Sequence, residues 1–576
     1  MLTESVDNLT GTAGNDTVTA VLDQHSATWT ALDVINGGAG SDTMNVLDVT
    51  GGLAGPAGTQ VTSIETINVR SAGDVGAGQG GAFDVSGFTG VNNLNVTQGN
   101  NVYVMAGGTT AVSVAGADGS VTVGGGSTVA VTSAVVNNEI TVGADGSSTG
   151  AVSVTHTELA GGSIMVNGGT AVTISASGID DHGQQNGGIK VGNAAAPTGA
   201  VSITAASAAT NGDASFGMLS LGGIEVTGGS SVTVTQSVTA GTGVATKADT
   251  ANVLAQADIT INGDSKTTSV TVTQAADAAG KTAVAAVAGV KQVDTVTFIA
   301  LASGESVEVG GLTFTAAKSL TAAQVSAAFA NLSAGATGGS AAASSGLYSG
   351  VFGDYTTGTV TTANSVSTVT ATAVTAATGS NPILVQDQSK NNITSANTTK
   401  GVTAVDAVTG QLKIAAGTVK IDGTITGTDV LATVSLDGYG AGSTIESDAL
   451  TTLTLANSVN DLTVTNAKAT TLALNVNNIV QDAVALDLDN GGNNKTYTTL
   501  NITTSGKDST VNLTADKVAT LTVAGDKALD LSVATLGALK TVTVSGAAGL
   551  TLDASGANVT AVSTAATTGN STLTVD

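Results

Sequence analysis

The chain has 576 residues, of which 76 are glycine, 10% are charged and 2% are aromatic. A net charge of −26, from 17 Lys and Arg against 43 Asp and Glu, excludes nucleic-acid recognition, because phosphate contacts need clustered basic residues. Cysteine is absent, which excludes disulfides and thiolate metal sites, and no apolar run is long enough to span a bilayer as a helix. The 41% apolar content argues against disorder. So few aromatics imply thin layers of small side chains, which repetitive β structure tolerates because each coil packs mainly on its neighbours. The opening residues, Met1 to Asp7, have neither the basic region nor the apolar run of a secretory signal peptide. A start this close to a repeat reads as a fragment of a longer chain.

Residues 1–69 carry the sharpest motif. Gly37-Gly38-Ala39-Gly40-Ser41-Asp42-Thr43-Met44-Asn45 fits the nonapeptide G-G-x-G-x-D-x-U-x, with U a large apolar residue, at every defined position. That repeat builds Ca²⁺-binding turns in a parallel β-roll. A degenerate copy, Gly11-Thr12-Ala13-Gly14-Asn15-Asp16-Thr17-Val18-Thr19, lies 26 residues earlier, and Asp7 aligns with Asp33 in the same register. Asp16 and Asp42 are the leading metal ligands, because carboxylate oxygen suits a hard cation. The carbonyls of Gly11, Gly14, Gly37 and Gly40 would complete the sites, with Asp7 and Asp33 as further oxygen donors. The competing reading is a pair of Gly-Asp turns without metal. Ser63-Ile64-Glu65-Thr66-Ile67-Asn68-Val69 then alternates like a strand.

Residues 70–293 repeat a phrase V/I-x-G-x-x-x-x-V-x-V/I, as at Val123 to Val131, Val166 to Ile174 and Val226 to Val234. Each copy reads as two period-2 strands joined by a glycine-rich turn. The copies are unevenly spaced, so the expectation is an irregular β-repeat array with loop insertions. Asp180 and Asp181, beside His182, sit in one insertion as weaker candidate ligands.

Residues 294–385 differ. Phe298, Phe314, Phe329, Tyr348, Phe352 and Tyr355 cluster here. Thr321-Ala322-Ala323-Gln324 forms a capping-box pattern, and Val325, Ala328, Phe329 and Leu332 then share one helical face. This segment reads as a small inserted α/β domain whose aromatics are its own core.

Residues 386–576 are the most regular. Leu-x-Leu or similar pairs begin at Leu453, Leu462, Leu472, Leu500, Val511, Leu521, Leu531, Val542 and Leu550. Short strands separated by polar turns predict a parallel β-helix, with a β-sandwich array as the competing reading. Asp487 and Asp489, before Asn490-Gly491-Gly492-Asn493-Asn494, offer a second oxygen-rich loop for Ca²⁺, or a polar turn. The expected fold is therefore all-β: an extended parallel β-helix or β-roll array with Ca²⁺-binding Gly-Asp turns, plus the insertion.

Catalytic patterns are missing. His25, His156 and His182 lack metal-ligand spacing, and no nucleophile elbow is supported by its context. With one arginine, Arg70, and one tryptophan, Trp29, the chain offers little to a polysaccharide-cleaving site. A non-enzymatic role is expected.

The ordered set of motifs resembles a family. It comprises Leu9-Thr10-Gly11-Thr12-Ala13-Gly14-Asn15-Asp16-Thr17, the Gly37 to Asp42 turn, Ser63 to Val69, and Val-Thr-Val-Thr-Gln at Val232 to Gln236 and Val270 to Gln274. Together these are similar to the lattice-forming part of RTX-type, Ca²⁺-dependent bacterial S-layer proteins of the Caulobacter kind, over most of the chain outside 294–385. The resemblance implies a paracrystalline coat outside the cell, type I secretion, Ca²⁺-dependent folding and self-association into a two-dimensional, commonly hexameric lattice. It also implies contact with lipopolysaccharide through a separate domain outside this chain. The alternatives are a Ca²⁺-stiffened RTX adhesin binding a surface ligand and, third, a β-helical polysaccharide-active enzyme.

Overall fold

A computed structural model describes the chain except residues 1, 24, 50, 53–54, 77–80, 145–146, 158, 160, 181–187, 210–218, 221, 241–252, 281–284, 378–380, 389–391, 408–412, 482–483, 490–495 and 576. It divides into two compact units, one formed by Met1–Lys281 with Gln411–Asp576 and the other by Thr282–Gly410.

The first unit is a parallel β-solenoid. The V-x-V phrases form strands whose alternate residues turn inward, as in Ala151–His156, where Val152, Val154 and His156 are buried and Ala151 and Ser153 exposed. Equivalent residues stack in register from coil to coil: Val129 on Val152, Val152 on Val172, Val172 on Val201, Val201 on Val232 and Val232 on Val270. Among the described residues the result is one long parallel sheet of 18 strands, from Thr17–Leu22 to Ala561–Thr567, and a second of 13, from Phe83–Asp84 to Leu513–Thr514. The long sheet is open. Thr17–Leu22 pairs only with Thr43–Asp48, and Ala561–Thr567 only with Thr541–Gly546, among the described residues.

The glycine-rich phrase joins its two strands as a coil corner. Val121–Gly125 belongs to the 13-strand sheet and Thr128–Ser133 to the long one. Gly125 and Gly126, at φ +70° and +94°, make the bend in a region that side chains with a Cβ seldom enter. All ladders of this unit's two large sheets are parallel, unlike those of a sandwich. The segment before the insertion and the regular one after it share both sheets. Ser269–Thr273 pairs with Thr433–Asp437, and Ile259–Asn262 with Val419–Asp422. Repeat spacing is uneven, yet the central coils stay in register from Val129 to Val270.

The outward face of the long sheet carries small polar residues. Ser153, Thr173, Ser202 and Thr233 stack in one exposed column. Nearer the N-terminus the same face holds an amide ladder, in which Asn68 Nδ2 donates to Asn45 Oδ1 at 2.9 Å and Asn95 Nδ2 to Asn68 Oδ1 at 3.0 Å. Inside, one column changes size abruptly. His156, Ala176, Ala205 and Gln236 occupy equivalent positions, and the two alanines leave a cavity of about 20 Å³ lined by Ala176, Ala205, Ile189, Ile224 and Gln236. That space suits about one water molecule.

The Thr282–Gly410 unit is antiparallel. Lys291–Phe298 pairs with Val366–Ala376 and with Thr394–Thr399. A second sheet orders Gly346–Gly350, Leu312–Ala316, Ser306–Val309 and Val385–Asp387. One helix, Ala322–Ala328, begins where Gln324 Oε1 accepts from the Thr321 N–H at 3.0 Å. Phe298, Phe314, Phe329 and Phe352 are fully buried, with Phe329 stacked on Phe298 (5.4 Å between centroids) and edge-on to Phe314 (6.3 Å). Asp294 is buried too. Its carboxylate accepts from Gln292 Nε2, Asn397 Nδ2 and the Ile383 N–H.

Candidate metal centre

Register stacks the acids of the first coils. Thr17 pairs with Thr43 and Thr43 with Thr66, so the residues just before them, Asp16, Asp42 and Glu65, form one column. Asn8 pairs with Val34, which places Asp7 against Asp33 in another. Asp33, Asp42 and Glu65 each take a backbone N–H from the preceding coil. The Asp7 N–H donates to Asp33 Oδ1 at 2.8 Å, the Asp16 N–H to Asp42 Oδ1 at 2.7 Å and the Asp42 N–H to Glu65 Oε2 at 2.7 Å.

The other carboxylate oxygens differ from coil to coil. Asp7 accepts from the N–H and hydroxyl of Thr3 at 2.6 and 3.0 Å. Asp33 accepts from the N–H and hydroxyl of Thr30 at 2.7 and 3.0 Å. Asp16 Oδ2 accepts from the N–H and hydroxyl of Thr12 at 2.5 and 2.8 Å. In the next coil the residue equivalent to Thr12 is Gly38, which has no hydroxyl, and its N–H donates instead to Asn36 Oδ1 at 3.0 Å. Asp42 is 1% exposed, and its Oδ2 is buried without a hydrogen-bond partner. An anionic oxygen in that state is costly unless a cation meets it.

The glycines explain how the coils come so close. A Cβ on Gly37 would collide with the Ser63 carbonyl oxygen and lie 2.5 Å from Asp42 Oδ2, so these two oxygens converge on the same bare Cα. A Cβ on Gly11 would meet the Gly37 carbonyl and, at 2.9 Å, Asp16 Oδ2. The Gly14 carbonyl packs against Gly40, which holds φ +129°. Ser63 stands at the register position of Gly37 yet adopts φ +49°, a left-handed conformation uncommon for residues other than glycine.

Ca²⁺ is the ion implied by the motif, and Asp42 fits it. The uncommitted Oδ2, the Ser63 carbonyl and the neighbouring Glu65 carboxylate are all hard oxygen donors. Asp7, Asp16 and Asp33 have oxygens already engaged by threonine. Among the described residues, no three Asp, Glu or His side chains gather as a metal-binding group, so an ion at this step would draw on main-chain oxygen as well.

The remaining sequence candidates are spread out. Asp487 Oδ1 accepts from the Asp489 N–H at 2.8 Å, and Asp489, 4% exposed, accepts from the Asp516 N–H at 2.6 Å. The rest of that loop, 490–495, lies outside the described residues, as do Asp181 and His182. Asp180 ends the strand Ala171–Asp180, opposite Ala209. His156 faces the solenoid interior, where burial pushes its pKa down and keeps the ring neutral.

Sequence reasoning missed Glu65 as a member of the column and missed the threonine clips. The Thr-x-x-x-Asp spacing of Thr3–Asp7 and Thr12–Asp16 was the available signal. It also missed a wider role for acids at coil edges. Asp74 accepts from the Asn101 N–H, Asp258 from that of Thr418, Asp429 from that of Asp448 and Asp461 from that of Gly442, at 2.7–3.0 Å. These contacts join neighbouring coils where the ladder has ended and backbone donors need other acceptors. No protein-family model matches the chain, and no curated protein matches it in sequence.

Proposed function

We propose that this chain is a structural protein of a bacterial surface layer, stabilised by Ca²⁺ and assembling laterally into a two-dimensional lattice outside the cell. The observation that carries the reading is the in-register parallel solenoid with a long face of small hydroxyl and amide side chains. Such a face loses little side-chain entropy when it packs against another surface. The Gly-Asp turn with its unpartnered Asp42 oxygen supports the cation. The charge of −26 supports a role for divalent ions in assembly, because like-charged subunits repel until the field is reduced.

Electron microscopy of the purified chain tests this. Planar arrays are expected at millimolar Ca²⁺, a range in which weak extracellular Ca²⁺ modules fill, and dispersal is expected after chelation. Protein that stays monomeric in both conditions refutes the lattice. Loss of thermal stability on chelation, without arrays, would keep the Ca²⁺ part and favour the adhesin alternative.

A further inference from the structure

We infer that the N-terminal turns hold one cation rather than a series, at the step between the second and third coils, with Asp42, the Ser63 carbonyl and Glu65 as its ligands. Asp7, Asp16 and Asp33 are metal-independent clips. This rests on the Ca²⁺ reading above and departs from the motif, in which every Gly-Asp turn is equivalent.

The argument is a contrast between two successive steps of identical backbone register. At the first, Asp16 Oδ2 is held by the N–H and hydroxyl of its own Thr12, while Oδ1 faces no such clip. At the second, substitution of the threonine position by Gly38 removes the hydroxyl, and Asn36 draws away the N–H. Asp42 Oδ2 is left enclosed at the bare Gly37 Cα, beside the Ser63 carbonyl. Ser63 carries the left-handed backbone that sets the direction of this carbonyl. Strain of this kind persists where surrounding structure over-determines it, and it clusters at ligand clamps. Glu65 is already within hydrogen-bonding distance of the Asp42 backbone, which places its carboxylate on the same step. Two carboxylates and a carbonyl, with water completing the shell, predict weak, extracellular-type affinity, on the order of 10⁻⁴–10⁻³ M.

The roles differ in sign as well as in location. Asn keeps the Oδ1 acceptor at either position but removes the charge and replaces Oδ2 by a donor. At residue 16 the amide can turn its carbonyl oxygen to Thr12, but both hydrogen bonds lose their charge assistance, so metal-free stability falls. At residue 42 it removes an unpaired buried anion, so metal-free stability holds or rises while the response to Ca²⁺ is lost.

The test is isothermal titration of the full chain with Ca²⁺, paired with melting curves in chelator and in Ca²⁺. The variants are Asp42→Asn, Glu65→Gln, Asp16→Asn and Thr12→Val, each checked for wild-type circular dichroism. Expected are one fewer Ca²⁺ bound, or an affinity loss of about tenfold or more at this step, for Asp42→Asn and for Glu65→Gln. Asp16→Asn and Thr12→Val should keep the wild-type stoichiometry and melt earlier in chelator. Glu65→Gln carries the test if Asp42→Asn fails to fold. Equal loss of Ca²⁺ in Asp16→Asn and Asp42→Asn, or wild-type stoichiometry together with wild-type affinity in Glu65→Gln, overturns the inference and leaves the Ca²⁺ reading standing. A wild-type chain that binds no Ca²⁺ overturns both.

Discussion

Most inward residues of the solenoid are Val, Ile and Leu, two or so to a strand, each resting on the equivalent residue of the coils before and after. The Thr282–Gly410 unit instead gathers four phenylalanines between antiparallel sheets, with Phe329 touching two of the others. The first arrangement spreads its stabilisation evenly along an axis, so a lost side chain weakens mainly adjoining coils. The second concentrates it in a few large groups, so one lost ring undermines the whole unit. The difference also shows in polar groups. The solenoid ties its coil edges together with carboxylates that accept backbone N–H groups, whereas the other unit encloses the carboxylate of Asp294 among neutral donors.

The sharpest way to break this comparison is Phe329→Ala. Removal of a buried ring costs about 3–5 kcal/mol. Calorimetry should show the transition of the Thr282–Gly410 unit shifted or lost, with the solenoid transition unchanged. A single transition displaced as a whole would show that the two cores do not melt independently. Leu474→Ala is the matching experiment in the solenoid, where Leu474 is fully buried and stacked between Leu453 and Ile502. The expected cost is about 2–5 kcal/mol, and hydrogen exchange should rise first in the coils of those two neighbours. Uniform loss of protection along both sheets would contradict nearest-neighbour stabilisation.

A smaller change probes a polar tie inside the solenoid. The buried Tyr497 hydroxyl donates to the Leu450 carbonyl at 3.0 Å, and burial pushes its pKa up, so the phenol stays protonated. Tyr497→Phe should lower stability by about 1 kcal/mol, read as a shift in denaturant midpoint without a change in slope. An unchanged midpoint would mean that water replaces the tyrosine as donor.

The smallest expected effect concerns the edge carboxylates. Lys468 beside Asp448, at 2.9 Å, and the Ala467 N–H hold the Asp448 carboxyl below the usual range. A depressed folded pKa contributes stability that is present above the unfolded value, near 3.9, and is lost as pH falls through the folded value. Because the pair is largely exposed, the effect is slight. Asp448→Asn should flatten the acid limb of the stability curve slightly, and a slope identical to wild type would remove this clip from the account.

Period-2 alternation, the glycine-rich corners and the aromatic segment with its helix were legible in the chain, because each depends on residues close in sequence. Alternation in Val152-Ser153-Val154 specifies which side chains are buried, whatever the strand's partner. Glycines at 125 and 126 specify a bend by the same local logic. What pairs with what was a tertiary matter. Ser269–Thr273 meets Thr433–Asp437 across more than a hundred intervening residues, so the two β segments on either side of the insertion are one solenoid, and only the three-dimensional register could join them. The Gly-Asp turns follow the same division. Their spacing named Asp16 and Asp42 as equivalent oxygen donors, and that equivalence is as far as a motif reaches. Whether a given oxygen is free to meet a cation depends on the donors that fold up against it. Thr12 satisfies Asp16, Gly38 cannot satisfy Asp42, and Glu65 arrives from the next coil, because stacking in three dimensions sets which hydrogen bonds compete with a metal.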